Sequence, residues 1–272
     1  MRLIGIIISA LFVFFASAQD YSGYIVNAES GEPVPYANIG IINRGVGTVS
    51  DAEGWFEIEL DSDFDRDIIC ISCIGYTDKK FPVEHFKHLT RRASNNNIKL
   101  SPLIYQLGEV IVKPKETRIY TLGNFCDSSS CYGNTFHSRQ LGTEIGIIME
   151  LPRKKDQAFL KSLRFYVGEC TYDSFPVRVN IYDLEDGFPG VNILREAIFV
   201  DITSPGEYLI PFSNYNITVE GDFFVSLEYY RAHKKEEGKL VFCAVHNRKK
   251  YKGNGLYRLT SHGTWTPEYG DN

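Results

Sequence analysis

Methionine and tryptophan are scarce in this chain, at 2 residues each in 272, and basic residues are not in excess: 29 Lys and Arg against 34 Asp and Glu give a formal charge of -5. Without a positive field there is no electrostatic footprint for a phosphate backbone, which excludes general nucleic-acid binding. The short motifs of common chemistries are missing too. The chain has no Gly-x-Ser-x-Gly elbow, no phosphate-binding glycine loop and no His-Glu-x-x-His. After the first twenty residues no long window is free of charges, so no later segment reads as a membrane-spanning helix. Low-complexity tracts are absent, and 43% apolar with 23% charged residues excludes disorder as a description of the whole. What is abundant is aromatic and turn-forming: 17 Tyr, 18 Phe and 23 Gly, the bias of short strands and tight turns. The composition therefore predicts an all-β protein, and the length suits two domains.

The opening MRLIGIIISALFVFFASAQD joins a positive Arg2, an apolar run from Leu3 to Phe15 and the small-residue site Ala16-Ser17-Ala18. This is the pattern of a secretory signal peptide over residues 1–18. The run is shorter than the roughly 20 residues that cross a bilayer, and a polar stretch follows at once. The expectation is an exported product starting at Gln19, without a transmembrane segment after cleavage. It would be located in the periplasm, in association with the outer membrane or at the cell surface. No cysteine stands at the cleavage point, which disfavours a lipid anchor.

Export permits disulfides. Cys126 and Cys131, in CDSSSC, are close enough in a polar loop to form a small local bridge. Cys70 and Cys73 form a Cys-x-x-Cys inside IICISCIGY, an apolar strand in which positions three apart point to opposite faces. They read as small core residues, since a redox pair needs a helix start that lowers the thiol pKa. Cys170 and Cys243, in two later strand-like runs, are left either paired or free.

Along the mature chain, short strands are predicted at 21–27, 36–42, 47–50, 55–60, 68–74, 97–100 and 107–112, with a helical turn near 82–89. Turn signals such as Ser30-Gly31-Glu32-Pro33 and Asp51-Ala52-Glu53-Gly54 bound them. In the second of these, Gly54 supplies the positive φ of a tight turn, from which Phe56 and Ile58 alternate inward. The polar Lys113-Pro114-Lys115-Glu116 reads as a linker dividing domains 19–114 and 115–272, with few contacts expected across it and independent folding of the second half.

The succession Gly23-Tyr24-Ile25-Val26, Ser30 to Ile39, Gly47 to Phe56 and Ser72-Cys73-Ile74-Gly75-Tyr76 resembles the carboxypeptidase-regulatory-like domain family. In Bacteroidetes, domains of that family precede outer-membrane receptors and many surface proteins. The resemblance implies a seven-stranded, transthyretin-like Greek-key sandwich, and Leu107 to Val112 is similar to the strand with which such domains end. It does not bring a carboxypeptidase with it. The only His-x-x-Glu, His233 to Glu236, has too little chain after it for the third ligand of such an enzyme, and His246 and His262 follow too closely. His85 and His88, a lone pair three residues apart, read as solvated or capping residues. No metal or other cofactor is implied.

The second half is too short for a 22-stranded receptor barrel. Its strands are predicted at 144–151, 163–168, 177–184, 197–202, 206–210, 223–230, 240–245 and 255–259, a second antiparallel sandwich of jelly-roll type. Val177, Val179 and Ile181 alternate with Arg178, Asn180 and Tyr182, the period of a half-buried strand. Arg178 to Tyr182 followed by Gly187-Phe188-Pro189-Gly190 resembles the sandwich modules that accompany regulatory-like domains in Bacteroidetes surface proteins. Similar sandwiches stack sugar rings on aromatic faces. Tyr257 and Trp265 are the candidate ligand-binding residues, with Tyr251 and Tyr269 beside them; the other reading packs Tyr257 and Trp265 into the final hairpin. The basic cluster Arg248, Lys249, Lys250 and Lys252 reads as a solvated turn, or as a contact for an acidic polymer.

The functional expectation is a non-catalytic binding or interaction protein of the cell envelope whose partner is an envelope protein or a glycan. Two alternatives stand beside it: an exported, glycosidase-like hydrolase using Glu169, Asp173 or Asp183, and an accessory subunit of an outer-membrane receptor. Two acids and aromatics facing one cleft would mark the hydrolase; a flat aromatic patch or an exposed sheet edge would mark the binding protein.

Overall fold

The computed structural model describes residues 19–91, 96–103, 118–123, 132–135, 140–152, 157–232, 238–244 and 254–268, with backbone alone at 132–135 and 243–244. Residues 1–18, read as a signal peptide, Leu107 to Val112, Lys113 to Glu116, read as a linker, Cys126, Cys131, His233 to Glu236, His246, the basic cluster, Tyr251 and Tyr269 lie outside the described residues.

Nearly all of the regular structure is β. The first unit contains β1 (Gln19–Asn27), β2 (Asn38–Ile41), β3 (Gly47–Val49), β4 (Trp55–Leu60), β5 (Ile68–Ser72), β6 (Lys79–Pro82), α1 (Val83–Thr90) and β7 (Asn97–Leu100). One sheet runs β4-β1-β7 and the other β3-β2-β5-β6. The strand Lys79–Pro82 was not anticipated. The turn at Asp51 forms as the sequence predicts: Gly54 has φ 75°, its N–H donates to Asp51 O at 3.1 Å, and the Asp51 carboxylate accepts from Trp55 N at 2.8 Å. From this turn Phe56, Ile58 and Leu60 point inward to join Ile25, Ile39, Ile71, Phe86 and Leu100 in a closed core.

The second unit contains β8 (Tyr132–Thr135), β9 (Glu144–Met149), β10 (Gln157–Phe159), β11 (Ser162–Cys170), β12 (Phe175–Glu185), β13 (Phe188–Asn192), β14 (Ile198–Ile202), β15 (Gly206–Pro211), β16 (Thr218–Glu220), β17 (Phe223–Tyr229), β18 (Leu240–Ala244), β19 (Gly255–Arg258) and β20 (Thr266–Pro267). The smaller sheet has the order β15-β11-β18-β8. The larger runs β12-β17-β9-β19-β20, with β13 and β14 both on the outer side of β12. The pairs β8/β9, β11/β12, β14/β15 and β17/β18 each have one member in either sheet, and every pairing is antiparallel. That alternation is a jelly roll. Between the sheets lies a second core built on Val167, Val177, Val179, Ile181, Val225 and Leu227.

β2 is buried on both faces. Ile39 and Ile41 enter the first core, while Asn38 and Gly40 turn toward residues of the second unit, where a Cβ on Gly40 would stand 2.0 Å from the Ser261 carbonyl oxygen. The expectation that few contacts cross between the halves is therefore corrected. Tyr36, Asn38, Asn43 and Ser72 all bond to side chains or backbone of residues 178–264.

Candidate functional site

The polar face of the larger jelly-roll sheet does not meet solvent. Arg178 and Asn180, on β12, and Glu228 and Ser226, on β17, are cross-strand partners. Glu144 on β9 and Arg258 on β19 are partners one strand further on. Glu144 and Glu228 are both fully buried, as is nearly all of Arg178. The correction to the half-buried reading of β12 is physical: alternation in sequence identifies the apolar face, and the other face is wet only if nothing covers it.

Each charge has a counter-charge. Arg178 Nη2 and Nε donate to Glu228 Oε2 at 2.8 and 3.0 Å, and Arg258 Nη2 lies 2.6 Å from Glu144 Oε2. The Asn180 amide bridges the two acids, donating to Glu228 Oε2 at 2.6 Å and to Glu144 Oε1 at 3.0 Å. Ser226 Oγ donates to Glu144 Oε1. Desolvation alone would raise the Glu228 carboxyl; Arg178, Arg258 and the Asn180 amide outweigh it, so its pKa is lowered. Burial opposes charge on Arg258, and Glu144, Tyr182 and Glu228 reverse that, lifting it above the ordinary arginine value.

The cluster continues into the first unit. Arg178 Nη1 donates to Tyr36 O at 2.7 Å and Nη2 to Asn38 Oδ1 at 2.9 Å; Ser261 Oγ donates to the same Asn38 oxygen at 3.2 Å. His262 Nε2 lies 3.1 Å from Ser72 Oγ, and its backbone carbonyl accepts from Asn43 N at 2.9 Å. Tyr36, Asn43 and His262 all hold left-handed backbone, with φ of 57°, 58° and 58°. Asn and His tolerate that region better than Tyr, so Tyr36 is the strained residue, and its carbonyl is the one aimed at Arg178. Desolvation and the Arg258 charge press the His262 imidazole down to about 3. The junction is thus an enclosed network of charge and hydrogen bonds in which Glu228 Oε1 and Arg258 Nε are left without a hydrogen-bond partner among the described residues.

Trp265 belongs to this network's rim. Its indole lies edge-on to Phe224 at 5.0 Å and to Tyr182 at 6.1 Å between centroids, and the Arg258 guanidinium sits 4.7 Å over its ring. Tyr257, half-buried, occupies the position between inward-packed Leu256 and Arg258 on β19, opposite Ile145. Of the acids suggested for a hydrolase, Glu169 lies in the smaller sheet, 2.6 Å from Lys239 Nζ. Asp183 lies in the larger sheet, its carboxylate accepting from the Val191 N–H, and Asp173 sits in the turn between β11 and β12.

The thiols are quiet. Cys70 and Cys73 are unpaired, and burial pushes them up to about 12 and about 11. Cys73 packs on the first core, while Cys70 shares a buried β5 position opposite Gly40. Cys170 is also a free thiol. His85 stacks on Phe81 at 5.6 Å. A pocket of about 300 Å³ at the end of the first sandwich is lined by Tyr21, Asp65, Lys87 and His88 among others, and Lys87 is already bound to Asp65 Oδ1 at 2.6 Å. Among the described residues no three His, Cys, Asp or Glu are grouped to hold a metal ion, and no helix is long and apolar enough to cross a membrane.

The first sandwich, with its Asp51 turn and its α1 between β6 and β7, is where a comparison with known families gives a result. Residues 21–112 match the CarboxypepD_reg-like domain. This is a β-sandwich domain often found in surface or binding proteins. A search of curated proteins finds no match to the chain. The residues by which the CarboxypepD_reg-like domain grips the jelly roll, Tyr36, Asn38, Asn43 and Ser72, were not legible as a site. A signal was available for their partners: Glu228 and Arg178 interrupt the apolar runs FFVSLEYY and VRVNIY, and charges in such runs are seldom buried without a mate.

Proposed function

We propose that this chain is a non-catalytic, exported interaction protein of the cell envelope. In this reading the CarboxypepD_reg-like domain and the jelly roll form one rigid body that meets an envelope protein or a glycan with its outer strand faces, either alone or as an accessory subunit of a receptor. The observation that carries it is the contrast in placement. The facing acids Glu144 and Glu228 are enclosed and matched by arginines, while Tyr24, Trp55, Phe159, Phe199 and Leu209 remain exposed. Groups poised for proton transfer would be open to a substrate, whereas exposed aromatics on strands are the material of a binding surface. The test uses the mature chain from Gln19 as bait on isolated envelopes and on a glycan array, with product analysis of every retained polysaccharide. Retention without cleavage is expected; release of shortened sugars would overturn the reading, and an intact mass retaining Met1 would overturn export.

A further inference from the structure

The outer face of the β4-β1-β7 sheet has a composition that neither the fold nor the buried cluster accounts for. On β1 and β4, Asp20 stands opposite Glu59, Ser22 opposite Glu57 and Tyr24 opposite Trp55. Ile25 N donates to Gly54 O at 2.8 Å, which places Tyr24 with Trp55, and by alternation the other two pairs, at the closely spaced positions that exchange no backbone bonds. Side chains approach nearest there. The intervening residues Tyr21, Ile25, Phe56 and Ile58 all point into the core. Tyr24 and Trp55 are 46% and 37% exposed, and Asp20, Glu57 and Glu59 are exposed beside them.

Two features of this face are unfavourable for an isolated sheet. Asp20 and Glu59 are like charges directly across a strand pair, and among the described residues no cation lies within ion-pair distance of Asp20, Glu57 or Glu59. Among the described residues Lys99 on β7, in register with Val26 on β1, is the basic residue of this face, and its carbonyl accepts from Lys79. Two large aromatic rings meanwhile lie in water. One kind of group relieves both: a cation that settles over an indole or phenol face within about 6 Å while its charge approaches a carboxylate. A neutral sugar would cover the rings and leave the acids uncompensated, and an acidic polymer would be repelled.

We infer that this face docks a lysine- or arginine-bearing segment of a partner protein, an inference that rests on reading the chain as an interaction protein. The probe is a ten-residue lysine- and arginine-rich peptide, titrated into the mature chain carrying Trp265→Phe so that fluorescence reports Trp55 alone. Saturable quenching is expected with Trp55 present; anisotropy of a dye on the same peptide, which needs no tryptophan, should show binding weakened about fivefold or more by Trp55→Ala and comparably by Glu57→Gln with Glu59→Gln, at unchanged melting temperature. Rising salt should weaken it further. The control pair Glu185→Gln with Glu196→Gln removes two exposed acids from the other unit. Equal loss in that control would show general attraction to an acidic protein and overturn the inference, as would unquenched Trp55 or equal quenching by a neutral oligosaccharide. If the peptide fails while envelope capture by the mature chain persists in Trp55→Ala, the inference falls and the interaction reading stands. If polysaccharide is cleaved, the reading itself falls.

Discussion

In β4, Phe56, Ile58 and Leu60 face the first core and Trp55, Glu57 and Glu59 face solvent; in β12, Val177, Val179 and Ile181 face the second core, yet Arg178, Asn180 and Tyr182 are buried as well. Both strands alternate strictly. The difference lies across the ladder. Arg178 and Asn180 look at Glu228 and Ser226, so the polar face carries its own counter-charges and can be covered. Glu57 looks at Ser22 and Glu59 at Asp20, a face that burial would punish and that stays open. Charge complementarity between neighbouring strands, rather than the period of one strand, decides which polar faces leave water.

The sharpest way to break the comparison is to remove one member of a buried pair. Arg178→Ala leaves Glu228 enclosed without its main partner and also frees Tyr36 O and Asn38; a loss of about 3 to 5 kcal/mol is expected from urea unfolding. Trp265→Ala, which removes a half-buried ring from Phe224, Tyr182 and the Arg258 guanidinium, should cost about 2 to 4 kcal/mol and leave glycan binding, if any, to other residues. Gly40→Ala forces a methyl group against the Ser261 carbonyl and should cost about 1 to 3 kcal/mol.

Acid supplies a test that needs no change of packing. The folded His262 imidazole titrates near 3, against an ordinary value of 6.5, so the unfolded chain takes up a proton that the folded chain refuses. Stability from the neutral ring is complete above about 6.5 and is lost as pH falls toward 3. The groups facing it are Arg258, Glu228 and Lys80. Urea midpoints between pH 7 and pH 4.5 should fall less steeply in His262→Gln than in wild type; identical slopes would remove His262 from the acid response. The smallest effect belongs to β4: Glu57→Gln with Glu59→Gln should shift stability by no more than about 0.5 kcal/mol, with either sign.

Most of the framework was legible. The alternating strands, the Asp51 turn, the helical turn after Pro82 and the two cores came from period and turn chemistry, and a second sandwich of jelly-roll type from strand number and length, while the order of strands in its sheets came only with the structure. Short strands such as Lys79–Pro82, Gln157–Phe159 and Thr218–Glu220 were missed because they have too few residues to show a period. Asp186 to Gly190 reads in sequence as one turn because Gly187, Pro189 and Gly190 are turn formers; the turn is confined to Asp186 and Gly187, both at positive φ, and pairing with β12 makes Phe188–Asn192 a strand. The junction was invisible for a different reason: Asn38, Gly40, Ser72 and His262 are unremarkable one at a time, and their role exists only once two distant segments meet. Cys70 was read correctly as buried, though it turns toward the junction rather than the first core, whereas Cys73 lies just past the end of β5 and is only partly buried.

The contacts that close the junction join residues 223 positions apart, Asn38 and Ser261, and 190 apart, Ser72 and His262. A chain made from its N-terminus can therefore fill its first core early, since β1 to β7 are all present by Leu100, but the outer side of β2 must wait for residues 259–265. Loops of that length are entropically slow to close. In the interval the strained Tyr36 carbonyl and the Asn38 amide are exposed to water, and Tyr36 is held from its own unit by its N–H, which donates to Asp51 O at 3.2 Å. In refolding, amides of β4 and β5 are expected to gain exchange protection first, and the Asn43 amide, whose acceptor is the His262 carbonyl, to gain it late with the final hairpin.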